Sequence, residues 1–160
     1  FPAQHVCVTG GEPLAQPNCL PVLSRLCDAG FAVSLETSGA LDISRVDARV
    51  SIVLDLKTPA SGEAERNLWA NLPLLQAKDQ IKFVIADRAD YEWSRSQVQA
   101  RPELKQAGAI WFSPAFAIEP GQTQLPTLAT ELAEWILADG LPVRLQLQLH
   151  KLLWQDAKGK

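Results

Sequence analysis

Methionine is missing from all 160 residues, tyrosine occurs once, and histidine is limited to His5 and His150. With Phe1 at its start and no methionine anywhere, the chain is expected to be part of a longer protein. Cysteine is also scarce. Cys7, Cys19 and Cys27 are an odd number at spacings that match neither a disulfide framework nor a zinc or iron–sulfur motif, so three buried or helix-packed thiols are expected. No apolar run approaches the ~18 residues of a membrane span, and no basic segment followed by an apolar stretch opens the chain, so a membrane protein and a secretory leader are not indicated. A cytoplasmic location is the expectation. The formal charge of −3 leaves no basic excess with which to hold a nucleic acid directly. Repeats, low-complexity tracts and interdomain linkers are lacking as well, which makes residues 1–160 a single domain.

What is present suits a core: 47% hydrophobic residues against 21% charged. Short β-branched or aromatic runs alternate with helical periodicity, the pattern of βα units and a mainly parallel sheet, so the fold class expected is α/β. Strands are expected at 5–10, 32–37, 51–57, 79–86, 109–114 and 143–150. A helix follows Asn18, with Leu20, Leu23, Leu26 and Cys27 on one stripe and Gly30 past its end. Others are expected over 64–77, where Pro73 should kink it, over 90–100 with Asp90 as cap, and over 126–139 before Gly140.

Ligands of parallel α/β folds meet the carboxyl ends of the strands, which makes those residues the ones to read. After the first strand come Thr9, Gly10, Gly11 and Glu12. Two residues without Cβ let a ligand approach the backbone closely, and the carboxylate offers a counter-charge to an amine; a tight turn with a capping acid is the plainer reading. No Walker loop or dinucleotide fingerprint is formed. The second strand ends Glu36, Thr37, Ser38 and Gly39. Alternation in the third puts Asp55 and Lys57 on one side, with Leu54 and Leu56 on the other. In the sixth it groups Arg144, Gln146, Gln148 and His150, either a solvent-facing edge or the wall of a polar cavity. The five tryptophans are read as packing residues.

Taken in order, "TGGEP" after the first strand, "ETSG" after the second, "DLKTPASGE" after the third, "KFVI" in the fourth, "FSPAF" in the fifth and "LQLHKLLW" at the end resemble the 7-carboxy-7-deazaguanine synthases. These are radical S-adenosylmethionine enzymes. "TGGEP" alone indicates only that superfamily; "ETSG" and the Gln148-x-His150-Lys151 ending narrow the resemblance. It implies a partial (β/α) barrel of the radical S-adenosylmethionine type, truncated at its amino terminus. It implies conversion of 6-carboxy-5,6,7,8-tetrahydropterin to 7-carboxy-7-deazaguanine with loss of ammonia, in queuosine biosynthesis for tRNA modification. The cofactors implied are S-adenosylmethionine, a [4Fe-4S] cluster and Mg2+; the partners are a second copy in a homodimer and a reductant such as flavodoxin.

Carried over by position, the resemblance gives the cofactor Gly10, Gly11, Glu12, Ser38, Asp55, Leu56, Lys57, Ser113, Pro114, Ala115 and Phe116, and the pterin Thr9 and His150. The family's cluster-binding cysteine motif has no counterpart here, so the first strand–helix unit and cluster loop are expected to lie outside this chain. Residues 1–160 alone are then expected not to cleave S-adenosylmethionine. Two other readings stay open: a non-catalytic remnant that binds S-adenosylmethionine, and an activase of a glycyl-radical enzyme.

Overall fold

The computed structural model describes residues 3–115, 127–149 and 153. Six strands form one sheet in chain order: β1 (His5–Val8), β2 (Ala32–Thr37), β3 (Ser51–Leu56), β4 (Gln80–Ile85), β5 (Ala109–Pro114) and β6 (Arg144–Leu145). Every neighbouring pair is parallel, as βα units require. Helices α1 (Cys19–Asp28), α2 (Arg88–Ala100) and α3 (Thr127–Asp139) are contributed by the connections after β1, β4 and β5. The α/β class and the six expected strands are therefore present, in the order of an open, partial barrel.

Alternation assigns the two faces. Val33, Leu35, Ile52, Leu54, Leu56, Ile81, Phe83, Ile85, Ile110 and Phe112 are buried against the helices and loops. The Phe83 and Phe112 rings meet edge to face at 5.4 Å, and Tyr91 of α2 packs on Phe112 while its hydroxyl donates to Asp139 Oδ2 of α3 at 2.6 Å. The other face carries Ser34, Glu36, Ser51, Val53, Asp55, Gln80, Lys82, Ala109 and Trp111, none of them fully buried. Parallel sheets usually bury both faces and read as unbroken apolar runs, so a polar inner face marks a space kept for something other than side-chain packing.

Four expectations need correcting. The helix expected over 64–77 is two 3-10 segments, Ala64–Arg66 and Trp69–Leu74. Pro73 has no N–H for an α-helical ladder, and Asn71 instead spends its amide on other backbone, accepting from Ile43 N–H at 3.2 Å and donating to Leu41 C=O at 2.8 Å. The cap of α2 is Asp87, which accepts from Asp90 N–H at 2.8 Å, whereas Asp90 lies inside the first turn and is buried. The sixth strand stops at Leu145, so period-two alternation does not extend to Gln146 and Gln148, and Leu145 and Leu149 are exposed. Cys7 is exposed on β1, unlike buried Cys19 and partly buried Cys27.

Candidate functional site

Beyond Val8 the chain turns sharply, with Gly10 at φ 97° and Gly11 at φ 54°, values that L side chains resist. A Cβ on either glycine would meet nothing within 4 Å. The glycines are thus required by backbone conformation, and the space in front of them is open.

Glu12 accepts from four donors: Leu14 N–H to Oε1 at 3.0 Å, Thr37 Oγ1–H shared between Oε1 at 2.9 Å and Oε2 at 3.0 Å, and Ser38 N–H and Ser38 Oγ–H to Oε2. It caps the 3-10 turn Pro13–Ala15 and ties the end of β1 to the end of β2. Burial pushes its carboxyl up, but the hydrogen bonds from Ser38, Leu14 and Thr37 together outweigh that and hold it below its ordinary value. An ionised Glu12 therefore holds Ser38 in place, with both of its oxygens engaged inside the chain.

Beside this staple lies a polar cavity of about 220 Å³, lined by Thr9, Gly10, Gly11, Glu36, Thr37, Ser38, Val53, Asp55, Lys57 and Lys82. Lys57 Nζ donates to Asp55 Oδ2 at 2.7 Å, and Asp55 Oδ1 is buried without a partner among the described residues. Thr9 Oγ1 donates to Glu36 Oε2 at 3.3 Å. From sequence Glu36 is named at the end of its strand without a role, and Lys82 is given none. The signal was available, because period two in β2 and β4 puts both on the same face as Asp55.

A second cavity, about 320 Å³, continues along the ends of β3, β4 and β5, with Asp55, Lys57, Thr58, Val84, Ala86, Asp90 and Ala115 in its wall. Its framework is fastened from behind by Asp90, which is 1% exposed and accepts from Thr58 Oγ1, Ala60 N–H and Ala86 N–H at 2.9 to 3.0 Å. Asn67 holds the other side of the same loop, accepting from Lys57 N–H and donating to Lys57 C=O, both at 2.9 Å.

The candidate residues thus divide. Thr9, Gly10, Gly11, Ser38, Asp55 and Lys57 surround one cavity. Leu56 is 0% exposed with its side chain in the core, so only its backbone can meet a ligand. Ser113 and Pro114 are buried, and Ser113 Oγ has no partner among the described residues. Ala115 borders the second cavity. Phe116 and His150 lie outside the described residues.

Sheet order and parallel pairing define an α/β protein of the partial-barrel class, with two cavities along the carboxyl ends of its strands. The same fold occurs in the Streptococcus suis protein SuiB. Its crystal structure bound to S-adenosylmethionine superimposes with a TM-score of 0.58 at 15% identity, over 94% of this chain and 41% of SuiB. Its complex with the precursor peptide SuiA gives 0.61 at 14% identity, over 92% of this chain and 39% of that one. No protein-family model matches the chain.

Sequence relatives are far nearer. A 7-carboxy-7-deazaguanine synthase of Chlorobaculum tepidum is 45% identical, across 99% of this chain and 70% of the relative. One of Koribacter versatilis is 40% identical, across 99% of this chain and 73% of the relative. The chain belongs to the 7-carboxy-7-deazaguanine synthase family.

Proposed function

We propose that this chain supplies the S-adenosylmethionine and pterin walls of an enzyme that contracts 6-carboxy-5,6,7,8-tetrahydropterin to 7-carboxy-7-deazaguanine with release of ammonia. The observation that carries the reading is the open space before Gly10 and Gly11 at the mouth of the 220 Å³ cavity, in a chain 45% identical to a synthase of that name. The turn exposes peptide groups to the ammonium end of the cofactor, and Ser38 and Lys57 stand beside it for the carboxylate and ribose. Asp55 and the backbone of Leu56 continue that wall, and Ser113, Pro114, Ala115 and Phe116 are assigned to the adenine. Thr9, Glu36 and His150 are assigned to the pterin.

Bound S-adenosylmethionine supplies the radical chemistry of the reaction. These residues orient the reactants and exclude water from them. The described residues do not fit the iron–sulfur cluster: no three His, Cys, Asp or Glu side chains converge, and Cys7, Cys19 and Cys27 are separate free thiols. The cluster ligands and the Mg2+ contact are assigned to residues outside this chain, and a second copy in a homodimer and a reductant such as flavodoxin are its proposed partners.

Calorimetric titration tests the assignment. Wild type binds S-adenosylmethionine, whereas Gly11→Ala keeps the fold at a cost of about 1–2 kcal/mol for an L side chain at positive φ and loses the cofactor. Equal affinity of the two proteins sinks it. Incubated with iron, sulfide and dithionite, residues 1–160 yield no 5′-deoxyadenosine; its detection overturns the view that the cluster is held elsewhere.

A further inference from the structure

The 220 Å³ cavity is lined by four charged side chains, Glu36, Asp55, Lys57 and Lys82. Two of them neutralise each other, since Lys57 Nζ lies 2.7 Å from Asp55 Oδ2. Lys82 is different: among the described residues it meets no carboxylate within 4.0 Å. Asp55 is its neighbour in register across β3 and β4, with Oδ1 unpartnered, yet Lys82 does not take it. The ammonium is therefore committed to the cavity and not to the adjacent strand. Its other in-register neighbour is Trp111, already covered by the Arg144 guanidinium at 5.4 Å and fixed by Nε1–H donating to Gln80 Oε1 at 2.7 Å, so neither turns toward Lys82 as a partner.

The position of Lys82 decides which anion it can meet. The Gly10–Gly11 turn follows β1, and β4 stands three strand spacings away, about 14 Å measured along the sheet. Lys57, on β3 beside Ser38, is the nearer ammonium for a carboxylate on the same carbon as an ammonium held at that turn, and Lys82 borders the cavity from the far side. Glu36 sets the opposite pole. Glu36 is level with Val53, and Val53 with Gln80, so Lys82 stands two strands across from the acid and two residues further toward the carboxyl ends. Paired acid and base at that separation suit a flat molecule with hydrogen-bond donors at one end and a carboxylate at the other.

We propose that Lys82 is a specificity-determining residue that binds the 6-carboxylate of the pterin. The inference rests on the functional reading above and adds a residue to it. The ammonium donates to the carboxylate and fixes the pterin lengthwise against Glu36 and Thr9, while Lys57 stays with Asp55 and the cofactor.

The test is calorimetric titration of the full chain with 6-carboxytetrahydropterin and with tetrahydropterin lacking that carboxylate. Wild type should prefer the first by about tenfold or more, the worth of a charge-assisted pair. Lys82→Gln should lose that preference while binding the decarboxylated pterin unchanged, and Lys82→Arg should restore it. Circular dichroism melting should show both variants folded, as expected for a half-buried side chain without partners among the described residues. Preference retained in Lys82→Gln, or equal loss for both pterins, overturns the role of Lys82 and leaves the functional reading standing. Wild type that binds neither pterin overturns both.

Discussion

Replacing Glu12 by Gln separates a positioning acid from a ligand acid. The amide keeps one acceptor but sets an NH2 where Oε2 now receives Ser38 N–H at 2.7 Å and Ser38 Oγ, so donors face donors. An unsatisfied buried donor costs about 1–3 kcal/mol, and because Glu12 is only partly buried the lower half of that range applies, about 1.5 kcal/mol. With a urea slope of about 2 kcal/mol per molar, the midpoint should fall by about 0.8 M at neutral pH with the slope unchanged.

Acid should then close the gap. The folded carboxyl titrates below the ordinary value of 4.5, so its contribution is fully present above 4.5 and is lost as pH falls through the lower folded value. Wild type should lose midpoint below 4.5 faster than Glu12→Gln. Asp42, Asp47 and Asp139, also held low by hydrogen bonds, are common to both proteins and cancel in the difference. Parallel profiles for the two proteins from pH ~6 to ~3.5, or a Glu12→Gln midpoint equal to wild type at pH 7, would refute the staple.

Asp79, 1% exposed, accepts from Ile52 N–H and Gln76 N–H at 2.8 Å and from Lys78 Nζ at 2.9 Å, so Asp79→Ala orphans two backbone donors and should cost about 3 kcal/mol in urea unfolding. Asp90→Ala frees Thr58, Ala60 and Ala86 at the wall of the 320 Å³ cavity; titration should show weakened S-adenosylmethionine binding with the pterin less affected, and equal weakening of both would count against it. Gly108→Ala should fail to fold or melt far below wild type, because its Cβ would lie 2.1 Å from the Ala77 carbonyl oxygen; a melting midpoint within a degree or two of wild type by circular dichroism would contradict that packing.

The strand layout was legible because hydrophobic runs and turn residues report backbone pairing directly. β2 and β5 fall on their expected bounds, 32–37 and 109–114. The 64–77 segment was not legible, since Leu68, Leu72 and Leu75 fall at helical spacing, while Asn67 and Asn71 satisfy backbone groups of other segments. That is a tertiary demand which a local window does not contain. The last strand failed for a related reason: alternation in "VRLQLQLH" persists past Leu145, but pairing with β5 matches only Trp111 with Arg144 and Phe112 with Leu145.

At the site, the doubled glycine is legible as a local backbone requirement, whereas the work of Glu12 is not, since its partners come from β2. Lys82 lies between these cases. Its alternation with Ile81 and Phe83 is plain in the sequence, and because a parallel strand covered on both faces would have no use for a lysine there, that residue already argues for a polar interior. What only three dimensions supply is that Asp55, its neighbour across the strand, is already engaged with Lys57. An interior charge left over after its neighbours have paired must be met by a ligand or by water, and the cavity in front of Lys82 extends to Thr9 and Glu36, the residues assigned to the pterin.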